Sequence, residues 1–286
     1  MSNTHGSIRD ALYEAPGPKN RRRIVIATTV SLIVLAVLAA GVIRQFYRTG
    51  QLDAKYWSFF LKATTWRFLG RGIIGTLEAA AAAGVVVFIM GFLMMLGRIS
   101  KYKIARGICT ALIEFTRGVP TLLFIYFFFL VVPQFGIHMS AFWKITLPVA
   151  ISASGIVAEV LRSGVNAVPK GQKEAALSLG MSDRSVFLKV VFPQAIRYVI
   201  PALISEVVIV VKDTTFAYVV NFPDLMQNAK VLISNYDALL SVYLVVAVIY
   251  IIINYLLNRL SVFAARRRNR SMTEIHTGED IVAEQI

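Results

Sequence analysis

The chain has 286 residues, 57% of them hydrophobic and only 16% charged, with a mean hydropathy of +0.65 and a formal net charge of +14. A soluble globular chain is about a quarter charged, so this composition excludes one and predicts an all-α polytopic membrane protein. The basic excess does not call for nucleic acid as a partner, because basic residues that flank spans and set topology account for it.

Residues 1–23 are polar, rich in Gly, Pro and Arg, and are expected to form a disordered cytoplasmic tail that closes on Arg21-Arg22-Arg23. Residues 24–43 are predominantly apolar and long enough to cross a bilayer as the first span. A cleaved signal peptide is the alternative, with Ala39-Ala40-Gly41 after Leu38, but the run exceeds a usual signal core. Residues 44–71 read as an extracytoplasmic linker, where Tyr47, Tyr56, Trp57 and Trp66 suit the bilayer interface.

The second span is expected from Ile73 to Leu96, with Ala79 to Gly84 and Gly91 marking a tightly packed helix. A basic loop, 98–106, follows. The third span runs from about Val119 to Val132 and is entered through Arg117-Gly118-Val119-Pro120. The fourth is Phe142 to Leu161. The fifth, Ala195 to Val211, should break at Lys212-Asp213-Thr214-Thr215, with Phe216 to Val220 as a re-entrant piece or a continuing turn. The sixth is Leu239 to Leu260, closed by Arg266-Arg267-Arg268, and leaves a cytoplasmic tail at 264–286. With the N-terminus inside, the basic clusters at 98–117, 162–197 and 259–270 all fall on the cytoplasmic side, although the loop at 44–71 goes against the rule. Both termini are then cytoplasmic.

Between spans four and five lies Glu174 to Pro193, polar yet patterned as helix. Pro169 suits a first turn, Gly180 a C-terminal stop, and Ser182 or Asp183 the cap of a second helix. That second helix carries Val186, Phe187, Val190 and Val191 on one face and should end before Pro193. Ala175, Ala176 and Leu179 share a face of mostly short side chains with Glu174 at its edge, where another backbone could approach closely. A docking device is one reading; an amphipathic helix on the membrane surface is the other.

Chemistry of the enzymatic kind is not visible. No G-x-x-x-x-G-K-[ST], G-x-S-x-G or H-E-x-x-H pattern occurs, and His5, His138 and His276 lack ligand spacing. Cys109 is the sole cysteine, so no intrachain disulfide forms. Ionisable and polar groups inside spans are more informative, because they are costly in a bilayer. Glu159 and Arg162 form an i,i+3 pair near the end of span four, and Ser152, Ser154 and Gly155 lie near its middle, lining a cavity or bonding within the bundle. Glu206 sits inside span five, with Lys212, Asp213 and Thr214 at the expected break. A charged, broken helix marks a solute path or a structural ion pair.

Residues 72–263 resemble the membrane subunits of ABC importers for polar amino acids. The resemblance rests on Arg117-Gly118-x-Pro120, Ala158-Glu159 with Arg162, Val168-Pro169-Lys170-Gly171-Gln172, Glu174-Ala175-Ala176, Gly180-Met181, Pro193-Gln194-Ala195, Glu206 and Lys212-Asp213-Thr214. Gln51-Leu52-Asp53 and the extra first span look most like an actinobacterial glutamate permease subunit. The chain departs from many members at Ser154-Gly155-Ile156.

The resemblance implies a type I importer permease fold in a bacterial cell membrane: six transmembrane helices, five of them a core and the first an addition. The stretch at about 166–195 is then the EAA loop, whose Glu174, Ala175, Ala176, Leu179, Gly180 and Met181 couple to a cytoplasmic ABC ATPase dimer. It implies a second, different permease subunit and an extracellular or lipid-anchored solute-binding protein, with lipid around the spans. The substrate is a polar amino acid, glutamate by the closer resemblance, and its path candidates are Ser152, Ser154, Glu159, Arg162, Glu206, Lys212, Asp213 and Thr214. No cofactor is expected in this chain; ATP and Mg belong to the partner ATPase. The alternatives are an ATP-independent secondary transporter or channel subunit, and a membrane anchor or sensor without a solute path.

Overall fold

The computed structural model describes residues 17–259. Two compact units divide the chain, Met1–Trp57 and Ser58–Ile286. In the first, α1 runs from Pro18 to Arg48, and its apolar side chains between Ile24 and Ile43 are exposed. The helix begins earlier than the expected tail boundary, so Arg21-Arg22-Arg23 lie in its first turns rather than in a disordered segment. Pro18 at the start has φ fixed near the helical value, and arginine is a good helix former. The part of the expected tail before residue 17, and the tail at 264–286, lie outside the described residues.

In the second unit, α2 (Ala63–Arg98) begins within the segment expected to be a linker and extends over 36 residues. At 1.5 Å per residue it is about 54 Å long, more than the roughly 30 Å of bilayer hydrocarbon. It packs most extensively against α5 (Ala141–Ala167), which in turn packs against α8 (Phe192–Asp213). The buried seam is made of short side chains: Ala79, Ala83 and Val87 from α2 meet Val149, Ala153 and Val157 from α5. Membrane helices gain from such close packing because lipid offers no hydrophobic advantage over protein.

α3 (Lys103–Gly118) and the helical segment Thr121–Phe135 meet at 97°. The latter starts as α4 (Thr121–Tyr126), widens into a π turn at Phe127–Val131 and tightens to 3-10 geometry at Val132–Phe135. The expected third span is thus the second arm of a bent pair, and the expected basic loop is a true loop only from Ile99 to Tyr102, with α3 beginning at Lys103. Pro120, extended at φ −58° and ψ 136°, makes the corner.

The connector contains α6 (Lys170–Ser178) and α7 (Asp183–Val186). Contrary to the sequence expectation, the second connector helix does not stop before Pro193. A π turn at Phe187–Val191 carries it directly into α8, with Pro193 in the first turn of that helix. The wider turn accommodates a proline ring that would clash in a regular α-helix. The α-helical part of α8 ends at Asp213, within the expected break, and the chain goes on as a 3-10 helix at Thr214–Val220, the continuing turn of the two alternatives, where Thr214 Oγ1 donates to the Val211 carbonyl at 2.8 Å. The whole run Asp183–Val220 is apolar and long enough to cross a membrane.

Finally α9 (Leu225–Tyr236) packs on α2, and α10 spans Leu239–Arg259. Asp224 caps α9, its Oδ1 accepting from the Gln227 N–H at 2.7 Å. Burial pushes this carboxyl up to about 6, against backbone hydrogen bonds that lower it. A folded-state pKa raised above the unfolded value means the protonated form favours the fold, so this contribution is lost as pH rises from about 4 to 6. Asp224→Asn keeps an acceptor for Gln227 and is expected to flatten that part of the pH profile, as read by thermal unfolding in detergent. Among the described residues five helices can cross a membrane, and the bent pair supplies a sixth candidate.

Candidate functional site

Three groupings of the sequence-predicted residues emerge, and they do not coincide. The first is the connector. α6 ends in a Schellman arrangement: Gly180 takes φ 78°, its N–H bonds the Leu177 carbonyl at 2.9 Å, and the Met181 N–H bonds Ala176 at 3.2 Å. Ser182 caps α7 by accepting from the Ser185 N–H. These local bonds fold the segment onto a small core of Val168, Ala176, Val186, Val191 and Ala195, with Met181 against it. Gln194 Nε2 donates to Gln172 Oε1 at 3.1 Å and ties α8 back to α6.

This geometry divides the predicted docking face. Ala176 is 5% exposed and points into the segment's own core, so it is not available to a partner. Glu174 and Ala175 are exposed, and Leu179 stands out at 84%. Gly180 is needed where it is, because a side chain at φ 78° is strained. Gly180→Ala should lower stability by about 1 kcal/mol, measured by denaturation of the full chain.

The second grouping is ionic. Glu159 receives Arg162 Nε at 3.0 Å and Nη2 at 2.8 Å on Oε2, while Arg98 Nε lies 2.9 Å from Oε1. Arg98 also approaches Glu114 at 3.8 Å, and Arg117 approaches Glu114 at 3.5 Å. The i,i+3 pair of the sequence is therefore part of a five-residue network joining α2, α3 and α5 at the end of the bundle that leads to α6.

The third lies deeper. Thr121 Oγ1 donates to Asp213 Oδ2 at 2.9 Å and is 2.9 Å from Ser152 Oγ, so α4, α5 and the end of α8 meet at one polar point. Sequence reasoning missed Thr121, although a threonine directly after Pro120 at the head of an apolar helix was a signal. Glu206, two turns before Asp213 on the same helix face, is 5% exposed, and its Oε1 has no hydrogen-bond partner among the described residues. Lys212 is exposed, and Thr214 is buried and bonded to its own helix. Ser154 is fully buried and bonds within the bundle, donating to the Ile151 carbonyl at 2.7 Å near Met94. Among the described residues no cluster of His, Cys, Asp and Glu could hold a metal ion.

The sequence and the fold match known proteins. Residues 88–270 match the family described as binding-protein-dependent transport system inner membrane component. The glutamate transport system permease protein GluD of Corynebacterium glutamicum is 35% identical over 238 residues, covering 82% of this chain and 86% of its own length. The probable glutamine ABC transporter permease protein GlnP of Bacillus subtilis is 31% identical over 203 residues, 70% of this chain and 91% of that protein. Among solved structures, an amino acid ABC transporter with histidines superposes with a TM-score of 0.68 at 31% identity, covering 73% of this chain and 98% of that one. An inward-facing MetNI methionine ABC transporter, at 18% identity and a TM-score of 0.63, has the same fold over 72% of this chain and 98% of its own. The chain therefore belongs to the family of binding-protein-dependent transport system inner membrane components, and within it is an amino acid ABC transporter permease subunit.

Proposed function

We propose that this subunit forms part of the import path for a polar amino acid, glutamate in the first instance, and receives its driving force through the segment from Lys170 to Val191. The observation that carries the coupling reading is the separate small core of that segment, which holds Glu174, Ala175 and Leu179 outward as a rigid knob. A cytoplasmic ATPase dimer, with ATP and Mg on its own residues, closes on this knob. The knob is continuous with α8, so its displacement moves the helix that carries Glu206 and Asp213. The termini then lie in the cytoplasm. A second, different permease subunit completes the path, and an extracellular binding protein delivers the solute. The glutamate assignment leans on the resemblance to GluD.

On the path, Ser152, Thr121 and Asp213 offer two hydroxyls and a carboxylate, and Glu206 a second carboxylate, all complementary to an α-ammonium. Lys212 supplies a cation for a carboxylate. The ionic network of Glu159 and Arg162 closes the inner end. Leu179→Asp changes an exposed side chain and is expected to leave stability within about 0.5 kcal/mol. In the complex assembled with its ATPase, ligand-stimulated ATP hydrolysis should nonetheless fall at least about tenfold, since a charge then enters an apolar contact worth about 1.5–3 kcal/mol. Full stimulation in this variant removes the coupling role. Testing the wild-type complex across amino acids identifies the substrate, and stimulation by another amino acid in preference to glutamate replaces that assignment.

A further inference from the structure

The path residues and the connector leave α3 unexplained. Its direction follows from two contacts: Thr121 meets Ser152, and the Lys144 ammonium lies over the Phe129 ring at 5.5 Å. Advancing eight residues along the segment Thr121–Phe135 thus corresponds to retreating eight along α5, so the two run antiparallel. Because α3 meets that segment at 97°, it lies across the bundle and not along it. Its level is that of Glu159, which Arg98 joins to Glu114, where the ionic network marks the edge of the hydrocarbon.

On the helical wheel α3 has three sides. Cys109, Ile113 and Thr116 face the bundle. Arg106, Thr110, Glu114 and Arg117 form a polar side. Ile104, Ile108, Leu112 and Phe115 form an apolar side that the described residues leave exposed, at 78% for Ile104 and 57% for Phe115, whose ring meets Phe124 edge-on at 5.7 Å. Lys101, Lys103 and Arg106 are exposed around the N-terminal end of the same helix, beside Tyr102. A flat-lying helix with an uncovered apolar side, a charged side and clustered cations at one end has the pattern that seats in a bilayer interface.

We propose that α3 is an interfacial helix whose partner is anionic lipid: Ile104, Ile108, Leu112 and Phe115 enter the acyl boundary while Lys101, Lys103 and Arg106 hold phosphate headgroups of the adjoining leaflet. Charge complementarity selects this occupant. Among the described residues no carboxylate forms an ion pair with any of the three cations, whereas a cytoplasmic leaflet is negative. The consequence is that the network Arg98–Glu114–Glu159 rests against a lipid-held helix, so leaflet composition bears on the inner end of the bundle.

The test uses the chain assembled with its partner subunits in nanodiscs. A nitroxide at Ile108→Cys, in a Cys109→Ala background, is expected to collide with dissolved oxygen much more than with a water-soluble nickel chelate. A label shielded from both reagents means that a protein subunit covers this side, and one open to nickel means that it is wet; either result overturns the proposal. In the second arm, phosphatidylglycerol is compared with phosphatidylcholine by lipid retention in native mass spectrometry. The preference for phosphatidylglycerol should fall about fivefold for each of Lys101→Gln, Lys103→Gln and Arg106→Gln, and should weaken with added salt. Equal retention of the two lipids by the unaltered chain also overturns it.

Discussion

Glu159→Ala is expected to destabilise the folded chain by about 2–4 kcal/mol, among the largest effects of any single side-chain truncation. Among the described residues Glu159 is the only carboxylate paired with both Arg98 and Arg162, at 2.9 and 2.8 Å. Its removal strands the partly buried Arg162 guanidinium and leaves Arg98, whose Nη1 is already buried without a hydrogen-bond partner, only the 3.8 Å approach to Glu114. Leaving such a charge unmatched costs more than the pair itself contributes, because desolvation is not refunded when one partner goes. The check is a double-variant cycle by thermal unfolding in detergent. Arg98→Met combined with Glu159→Met should be less damaging than Glu159→Ala alone. If the single and double variants are equally stable, the network carries no coupling.

The second large effect concerns Ala176→Arg. The exposed neighbour Ala175 tolerates a long cation, which extends into water. At Ala176 the same side chain must enter a core of only five buried residues, Val168, Ala176, Val186, Val191 and Ala195. Overpacking and burial of a charge together cost about 2–4 kcal/mol, enough to unseat so small a core. Amide exchange across residues 170–191 should therefore speed up strongly in Ala176→Arg, while amides of α2 and α5 keep their protection. Ala175→Arg should leave both regions unchanged. Equal exchange in the two variants would mean that Ala176 faces outward after all.

The contrast between these two alanines shows what the sequence could and could not convey. Gly180 and Ser182 were legible because a left-handed stop and a hydroxyl cap act on atoms a few residues away. The spans were legible because each apolar run needs only its own length. Which of Ala175 and Ala176 turns inward depends on Val186 and Val191, which arrive from the next helix. The Thr121–Asp213 bond joins positions 92 apart, and nothing local announces it. The expected stop before Pro193 failed for a different reason: a single π turn changes the spacing and makes room for the ring. The bend at Pro120 hid α3, although Ile104, Ile108, Leu112 and Phe115 recur at helical spacing and argue for a helix there.

The crossing of α5 and α8 has a mechanical meaning. A Cβ on Gly164 would stand 2.7 Å from the Ala195 carbonyl oxygen, so the two backbones approach closely there. Taken as a pivot, Ala195 has an arm of about 18 Å toward Asp183 and one of about 27 Å toward Asp213, at 1.5 Å per residue. A push of about 2 Å on the short arm swings the long one about 3 Å in the opposite sense. One helix without a loop between its ends thus reverses and magnifies a displacement, with a missing side chain as its fulcrum.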